Sequence, residues 1–417
     1  MSGAPRPAYR LFEVVGIELE YPIVDADLRP VCLVEPAFRR INGRPTSDLE
    51  HGAVGFSNEF AAHVFELKTL DPQRSLAQAE RQLVEGLRHF AGVLDREFGA
   101  RLLPTAMHPF MRPEDTGLWP RGRRRIYRTY HRIFNARGHG WLNVQASHVN
   151  LPFGAEPETV MMHNAVACLL PYLPALAASS PIYEGRLGPY VDNRMAFYRG
   201  TQRRIPIITA DVIPEYVHSY REYRSRILKR IYRSLDAVPG GEVIQHEWVN
   251  SRGAIMRFMR RALEIRVLDM QECIKSDVAV AVFVRAALRA LVRDLRTGEL
   301  VLPPRGMLVR DFNRVIRHGR AAPVAASHLL PRRGNPRASA RAVLEALLDR
   351  AEPHVPAAER THLDLIAERL RRGNLSERIA ARVRRDAPRA GTRRRDAIRA
   401  VYEELASALT ANEPWLG

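Results

Sequence analysis

Glu264 and Arg266 stand two residues apart in Leu263-Glu264-Ile265-Arg266-Val267-Leu268-Asp269, where apolar and charged residues alternate. A period of two puts Ile265 and Val267 on one face of a strand, the carboxylate and guanidinium on the other. Such a pair either neutralises itself or is held toward a shared anionic or metal-bound ligand. Arg252 and Arg257, upstream in NSRGAIMRFMRRALEIRVLD, favour the second reading, because several cations then converge near one acid. A second alternating run, residues 12–24 (FEVVGIELEYPIV), carries Glu18 and Glu20 side by side. Like charges at that spacing repel, so the strand is either a solvated edge or has a cation between or beside its acids. Glu59 follows, and Val64–Thr69 predicts a strand with Glu66 and Lys68 on one face. His148 lies on the alternating run Trp141–Leu151, sharing a face with Val144, Ala146 and Asn150; alone, such a histidine is more often a hydrogen-bonded core residue than a ligand.

The elements that must position these groups are legible in outline. Ser75 with Gln78 makes a capping-box pattern, and Leu76, Ala79, Leu83, Leu87, Phe90 and Leu94 form the apolar stripe of a helix ending near Phe98. Residues 42–57 are rich in Gly, Asn and Asp and predict turns, Leu102–Met107 predicts an edge strand because of Pro104, and Ile126–Phe134 a basic helix. Pro157 opens a helix that Pro171 is expected to stop. Ala177–Gly200 predicts a long loop whose arginines, Arg186, Arg194 and Arg199, could meet a carboxylate or phosphate or simply lie on the surface. Residues 215–236 predict a basic helix, and Asp277 a cap for a helix over 278–296. Beyond residue 300, Pro303-Pro304, Pro331, Pro336 and Pro353 punctuate arginine-rich helices at 339–351, 357–372, 375–384 and 394–410, expected to pack on the sheet without supplying chemistry.

Bulk properties narrow the classes. A chain of 417 residues with 46% apolar content can bury a large core. Its net charge of +18, much of it in Arg121–Arg137 and in pairs such as Arg332-Arg333, suits either nucleic acid or solvated helix faces. Without a helix-turn-helix, zinc-finger or RNP-type motif, the second reading is preferred. Cys32, Cys168 and Cys273 lie far apart with no CxxC, which points to a reducing, cytoplasmic setting. The start has no apolar signal core, and Ala165–Ala178 and Val278–Val292 are broken by Pro171 and Pro174 or by Arg285 and Arg289, so no membrane span is expected.

The order of these motifs is particular: ExE, two acids seven apart, SHVNLP, an SSPxxEGR loop, NSRxxxxR and LEIRVLD. Over about residues 10–295 it resembles the carboxylate–amine ligases of the glutamate–cysteine ligase type-2 family, within the glutamine synthetase superfamily. The resemblance implies an α+β fold: a curved antiparallel sheet platform flanked by helices, with a catalytic domain over 1–298 and an arginine-rich helical C-terminal region over 299–417. It implies ATP and Mg2+ (or Mn2+), with Glu18, Glu20, Glu59, Glu66, His148 and Glu264 as metal ligands. Arg252, Arg257 and Arg266 would hold the phosphates, with Arg252, Arg266 and Glu264 at the reacting centre. Arg194 or Arg186 would anchor a glutamate-like acid, which ATP would activate as an acyl phosphate for attack by an amine or amino acid. Asn150 would belong to the substrate pocket, standing where many members carry a second histidine. Leu19 replaces a third acid frequent between the two glutamates. The partners implied are small molecules, with self-association of the chain an option. Two other readings are a family-fold nucleotide-binding protein with lost or regulatory activity, and a basic nucleic-acid-binding protein.

Overall fold

A computed structural model describes residues 9–122, 124–326, 328–330, 338–388 and 391–417. Pro331, Pro336 and the Arg332-Arg333 pair lie outside the described residues. The first ten strands are β1 (Gly16–Val24), β2 (Asp48–His51), β3 (Val54–Asn58), β4 (Val64–Thr69), β5 (Arg101–Leu102), β6 (Ala146–Pro152), β7 (Ile182–Tyr183), β8 (Arg186–Leu187), β9 (Ala254–Arg257) and β10 (Ala262–Asp269). Eight of them make one sheet in the order β2-β3-β4-β1-β6-β10-β9, with β5 also paired to β1. Every pairing in it is antiparallel, so the fold is the expected α+β platform.

The alternation in β1 decides which side of the sheet is which. Ile17, Leu19, Tyr21 and Ile23 are fully buried in a core that also contains the apolar stripes of the helices Leu76–Phe98 and Ile274–Thr297. Burying each such side chain contributes roughly 1.5–3 kcal/mol, which pins the strand's register. Glu18 and Glu20 are thereby turned to the opposite face. Leu19 is on the helix side, so its departure from the family pattern leaves the carboxylate face unchanged.

Several expectations are corrected. Residues 42–57 contain the β2–β3 hairpin, turned at Gly52 with φ of +58°, rather than turns alone. The strand expected at Leu102–Met107 is only β5, because pairing to β1 ends at Leu102. The run from Trp141 becomes extended only at Ala146, its first residues closing the short helix His139–Leu142. Pro171 does not stop its helix: the chain passes through a 3-10 turn at Leu170–Tyr172 into the helix Leu173–Ala177, each proline sitting in a first turn where its missing N–H is not needed. The combined segment Glu156–Ala177 is long and apolar enough to cross a membrane, but 94% of its most apolar window is buried inside the fold, as befits a core helix. Asp277 lies within the first turn of a helix that starts at Ile274, where it accepts the Gln271 N–H. The expected 177–200 loop contains the β7–β8 hairpin and the helix Asn193–Tyr198.

The C-terminal helices buttress the sheet from behind. Ala340–Ala351 and Arg360–Arg372 pack on Ile274–Thr297, while Leu375–Asp386 and the last helix enclose Val24, Leu28 and Leu103 in a second core. A helix at Arg305–His318 was not expected; it lies in the main core. Glu359 ties the layers together, ion-paired with the buried Arg285 and accepting the Leu76 N–H at 2.9 Å, the first amide of the helix beneath the sheet. Replacing Glu359 with Ala strands a buried guanidinium and should lower unfolding stability by about 3–5 kcal/mol, read as a shifted urea midpoint. An unchanged midpoint would mean that these helices are not integral to the folded unit.

Candidate active site

Register across the sheet assembles the charged face. Lys68 (β4), Glu18 (β1) and His148 (β6) lie in one cross-strand row. Ser57 (β3), Glu66 (β4) and Glu20 (β1) form the next, and Asn150 (β6) pairs with Glu264 (β10) on the other flank. All of these but Asn150 floor a cavity of about 810 Å3. Its lining includes six carboxylates (Glu18, Glu20, Glu59, Glu66, Glu247 and Glu264) and five cations (Lys68, Arg194, Arg257, Arg260 and Arg266), near balance in charge. Phe60, Tyr127, Tyr130, Trp141 and Trp248 form an aromatic wall beside the acids.

The balance is local rather than uniform. Glu264, 1% exposed, is held by both Arg257 and Arg266. Glu18 accepts from Arg260 at 2.9 Å and meets His148 Nδ1 at 3.1 Å. Lys68 donates to Glu66 at 2.9 Å and to Ser57 Oγ at 2.7 Å, and Ser57 donates to Glu66 at 2.7 Å. Glu20 accepts the Ala146 N–H at 2.7 Å, and its nearest cation, His148 Nε2, is 4.0 Å away. Among the described residues, Glu59 accepts only its neighbour's amide, from Phe60 at 3.3 Å.

Protonation follows these differences. Burial pushes Glu264 upward, but the charges of Arg266 and Arg257 win and bring it to about 2. Burial likewise opposes ionisation of Glu18, yet His148 and Arg260 hold it well below the usual carboxylate range. His148 is disfavoured as a cation by burial and raised overall by Glu18 and Glu20. Glu59 is pushed well above the usual range by burial and then by the fields of Glu20, Glu66 and Glu18. Glu20 and Glu66 are raised, also chiefly by burial. The face thus holds more buried carboxylate than its own side-chain cations stabilise. Ligand atoms of Glu18, Glu66 and His148 lie within 4.8 Å of one another, a hard-oxygen set with one imidazole that suits magnesium or manganese.

The sequence profile of glutamate-cysteine ligase family 2 matches residues 14–404. The chain belongs to glutamate–cysteine ligase family 2. A protein of Archaeoglobus fulgidus, named only as uncharacterized, is 39% identical over 403 residues, 97% of this chain and 100% of its own. The structure of a glutamate–cysteine ligase from Francisella tularensis in complex with AMP matches with a TM-score of 0.65 at 14% identity, covering 96% of this chain and 90% of that one. A bifunctional glutathione synthetase from Pasteurella multocida matches with a TM-score of 0.58 at 16% identity over 96% of this chain and 52% of that one. These two share the fold.

Within this family member, the residues singled out from sequence separate into two groups. Glu18, Glu20, Glu59, Glu66, His148, Glu264, Arg257, Arg266 and Arg194 all line the cavity. Arg194 is 2% exposed and steadied by Asp269 at 2.5 Å. Asn150 donates to Glu18 at 3.3 Å but opens on an adjoining cavity of about 590 Å3, which shares Glu18, Lys68 and Arg260 with the first. Arg252 and Arg186 are not brought in. Arg252 is 1% exposed and clamps Glu215 in two bonds, at 2.6 and 2.8 Å, so its donors are spent on the wall of the fold. Arg186 is exposed and pairs with Glu184 at the tip of the β7–β8 hairpin. Sequence reasoning missed Lys68 and Arg260. Lys68 was on the correct face beside Glu66, and Arg260 was hidden in a turn, where periodicity carries no direction.

Three raised carboxylates have a measurable consequence. Since Glu20, Glu59 and Glu66 titrate above their unfolded values, the folded state binds more protons, and the stability they confer at acid pH is lost as pH rises through those raised values. Glu18 and Glu264 act with the opposite sign, contributing above the ordinary carboxylate range and losing that as pH falls. A divalent cation replaces the missing protons, so Mg2+ or Mn2+ should raise Tm more at about pH 8 than at about pH 5. Scanning fluorimetry across pH checks this; an equal or larger shift at the acid end would contradict it.

Proposed function

We propose that the chain is an ATP- and magnesium-dependent carboxylate–amine ligase of the glutamate–cysteine type, forming a γ-glutamyl-type amide through an acyl phosphate. The observation that carries this reading is the excess of buried carboxylate on one sheet face, bordered by Arg257, Arg260, Arg266 and Lys68. Family membership supports the reaction class, and the AMP in the Francisella tularensis ligase supports a nucleotide in a fold of this kind.

In this reading Glu18, Glu20, Glu59, Glu66, His148 and Glu264 hold the divalent cations. When bound, such ions neutralise phosphate charge and orient ATP for in-line transfer. Arg266 and Arg257, both ion-paired with Glu264, meet the negative charge spread over the transferring phosphoryl oxygens. Arg260 and Lys68 extend that field on the Glu18 side. Arg194, steadied by Asp269, anchors the acid substrate by its own carboxylate. Arg252 acts through the wall it braces, not on phosphate. The substrate carboxylate takes the γ-phosphoryl group as ADP leaves; the amine then forms the C–N bond, losing a proton as phosphate departs. The aromatic wall excludes water from the acyl phosphate. A reducing cytoplasmic setting fits the separated free cysteines.

Phosphate release should be followed with amino acids and amines crossed pairwise in the presence of ATP and magnesium. The reading expects release that requires both an acid and an amine. Arg266→Gln should cut turnover at least about a hundredfold, and Glu18→Gln or Glu66→Gln should raise the magnesium needed. Undiminished turnover in all three variants would refute the site assignment; release without an amine would refute the ligase.

A further inference from the structure

The helix Arg124–Phe134 has two faces with different surroundings. Ile126, Tyr127 and Tyr130 line the main cavity, whereas Arg124, Arg125, Arg128 and Arg132 line a separate groove of about 590 Å3 beside Gly240 and Val243. All four arginines are exposed, and among the described residues none has an ion-pair or hydrogen-bond partner. The carboxylate lining this groove, Glu242, is not paired with them. From there the chain runs to His246 and Glu247, which belong to the main cavity and also to a second groove of about 620 Å3. That groove carries Arg221, Arg224 and Lys229, also exposed, with Met259 at 85% exposure between groove and cavity. Cations without an ion-pair partner among the described residues therefore line two grooves on elements that also wall the cavity, the second of which shares His246, Glu247 and Met259 with it. Like charges so gathered repel one another, and on a chain of net charge +18 they focus an attractive field for anions.

A small anion fills one groove at most; a ligand that uses both and reaches the mouth is a chain. Single-stranded nucleic acid needs aromatic platforms for its bases, and the first groove has none among its lining residues. In the second, Arg224 already covers the ring of Phe258, 4.1 Å from its centroid, which leaves the half-buried Tyr232 as a single ring where a run of bases needs several. Carboxylates need only the guanidinium fork. We propose that this rim docks an acidic polypeptide segment and presents one of its carboxylates to the cavity, so that the acid substrate is a side-chain or terminal carboxylate of a polypeptide. The presentation rests on the ligase reading; the docking does not. At the presented carboxylate the γ-phosphoryl group is taken with ADP leaving, and the amine then displaces phosphate and sheds its proton.

The test is fluorescence anisotropy of a labelled oligoglutamate with the full chain, without ATP, against an oligouridylate of equal charge. Oligoglutamate should bind at low salt and weaken about tenfold or more at physiological ionic strength. Arg124→Glu with Arg128→Glu should weaken it about tenfold or more, and Arg124→Gln with Arg128→Gln by less. ADP formation from free small substrates should be unchanged in both. No binding of oligoglutamate at low salt, equal or tighter binding of the oligouridylate, or wild-type affinity in the charge-reversed variant would each overturn the proposal. A chain that binds oligoglutamate and turns over no substrate would overturn the ligase reading and leave the docking intact.

Discussion

The structure depends on keeping several carboxylates buried on one sheet face. A buried, unpaired carboxylate costs several kcal/mol, and this face has Glu18, Glu20, Glu66 and Glu264 within a few strands of one another. Arginine and lysine compensate some of that charge: Arg257 and Arg266 serve Glu264, Arg260 serves Glu18, and Lys68 serves Glu66. Glu20 and Glu59 are left to protons or to a bound cation. A sheet can tolerate this because its other face is mostly apolar and packed against helices. The fold's stability is generated on one side of the sheet and its chemistry on the other.

That division explains why much of the platform was legible in the sequence. Strands with one helix-packed face must alternate, so Glu18/Glu20, Glu66/Lys68 and Glu264/Arg266 each declared their side before any neighbour was known. The tail helices expected at 339–351, 357–372, 375–384 and 394–410 were equally readable, whereas Arg305–His318 was not. What could not be read was pairing. Nothing within residues 42–57 reveals that Asp48–His51 and Val54–Asn58 extend the sheet, since the strand that joins the hairpin to it is β4, through Val54–Asn58. Arg252 and Arg257 looked alike in NSRGAIMR, yet one clamps Glu215 from a loop and the other reaches Glu264 from a strand. Arg186 and Arg194 shared a loop in sequence; a hairpin carries the first outward and a short helix buries the second.

The departures from the usual family pattern also sort by face. Leu19 is fully buried toward the helices, so it cannot alter the acid set. Asn150 sits in the row with Glu264 and hydrogen-bonds Glu18, replacing a titratable ring by a neutral amide at the junction of two cavities. The charge of that junction is therefore fixed by Glu18, Lys68 and Arg260. The C-terminal helices reach none of this lining among the described residues; their contribution is the buried scaffolding behind it.

The central claim, that this carboxylate face is a divalent-cation site, is tested most directly by anomalous scattering from a crystal of the full chain grown with manganese and ATP. The account predicts manganese peaks bonded to Glu18, Glu66 and His148, with Glu20, Glu59 or Glu264 completing the set. A map with nucleotide present and no anomalous peak on this face would contradict it.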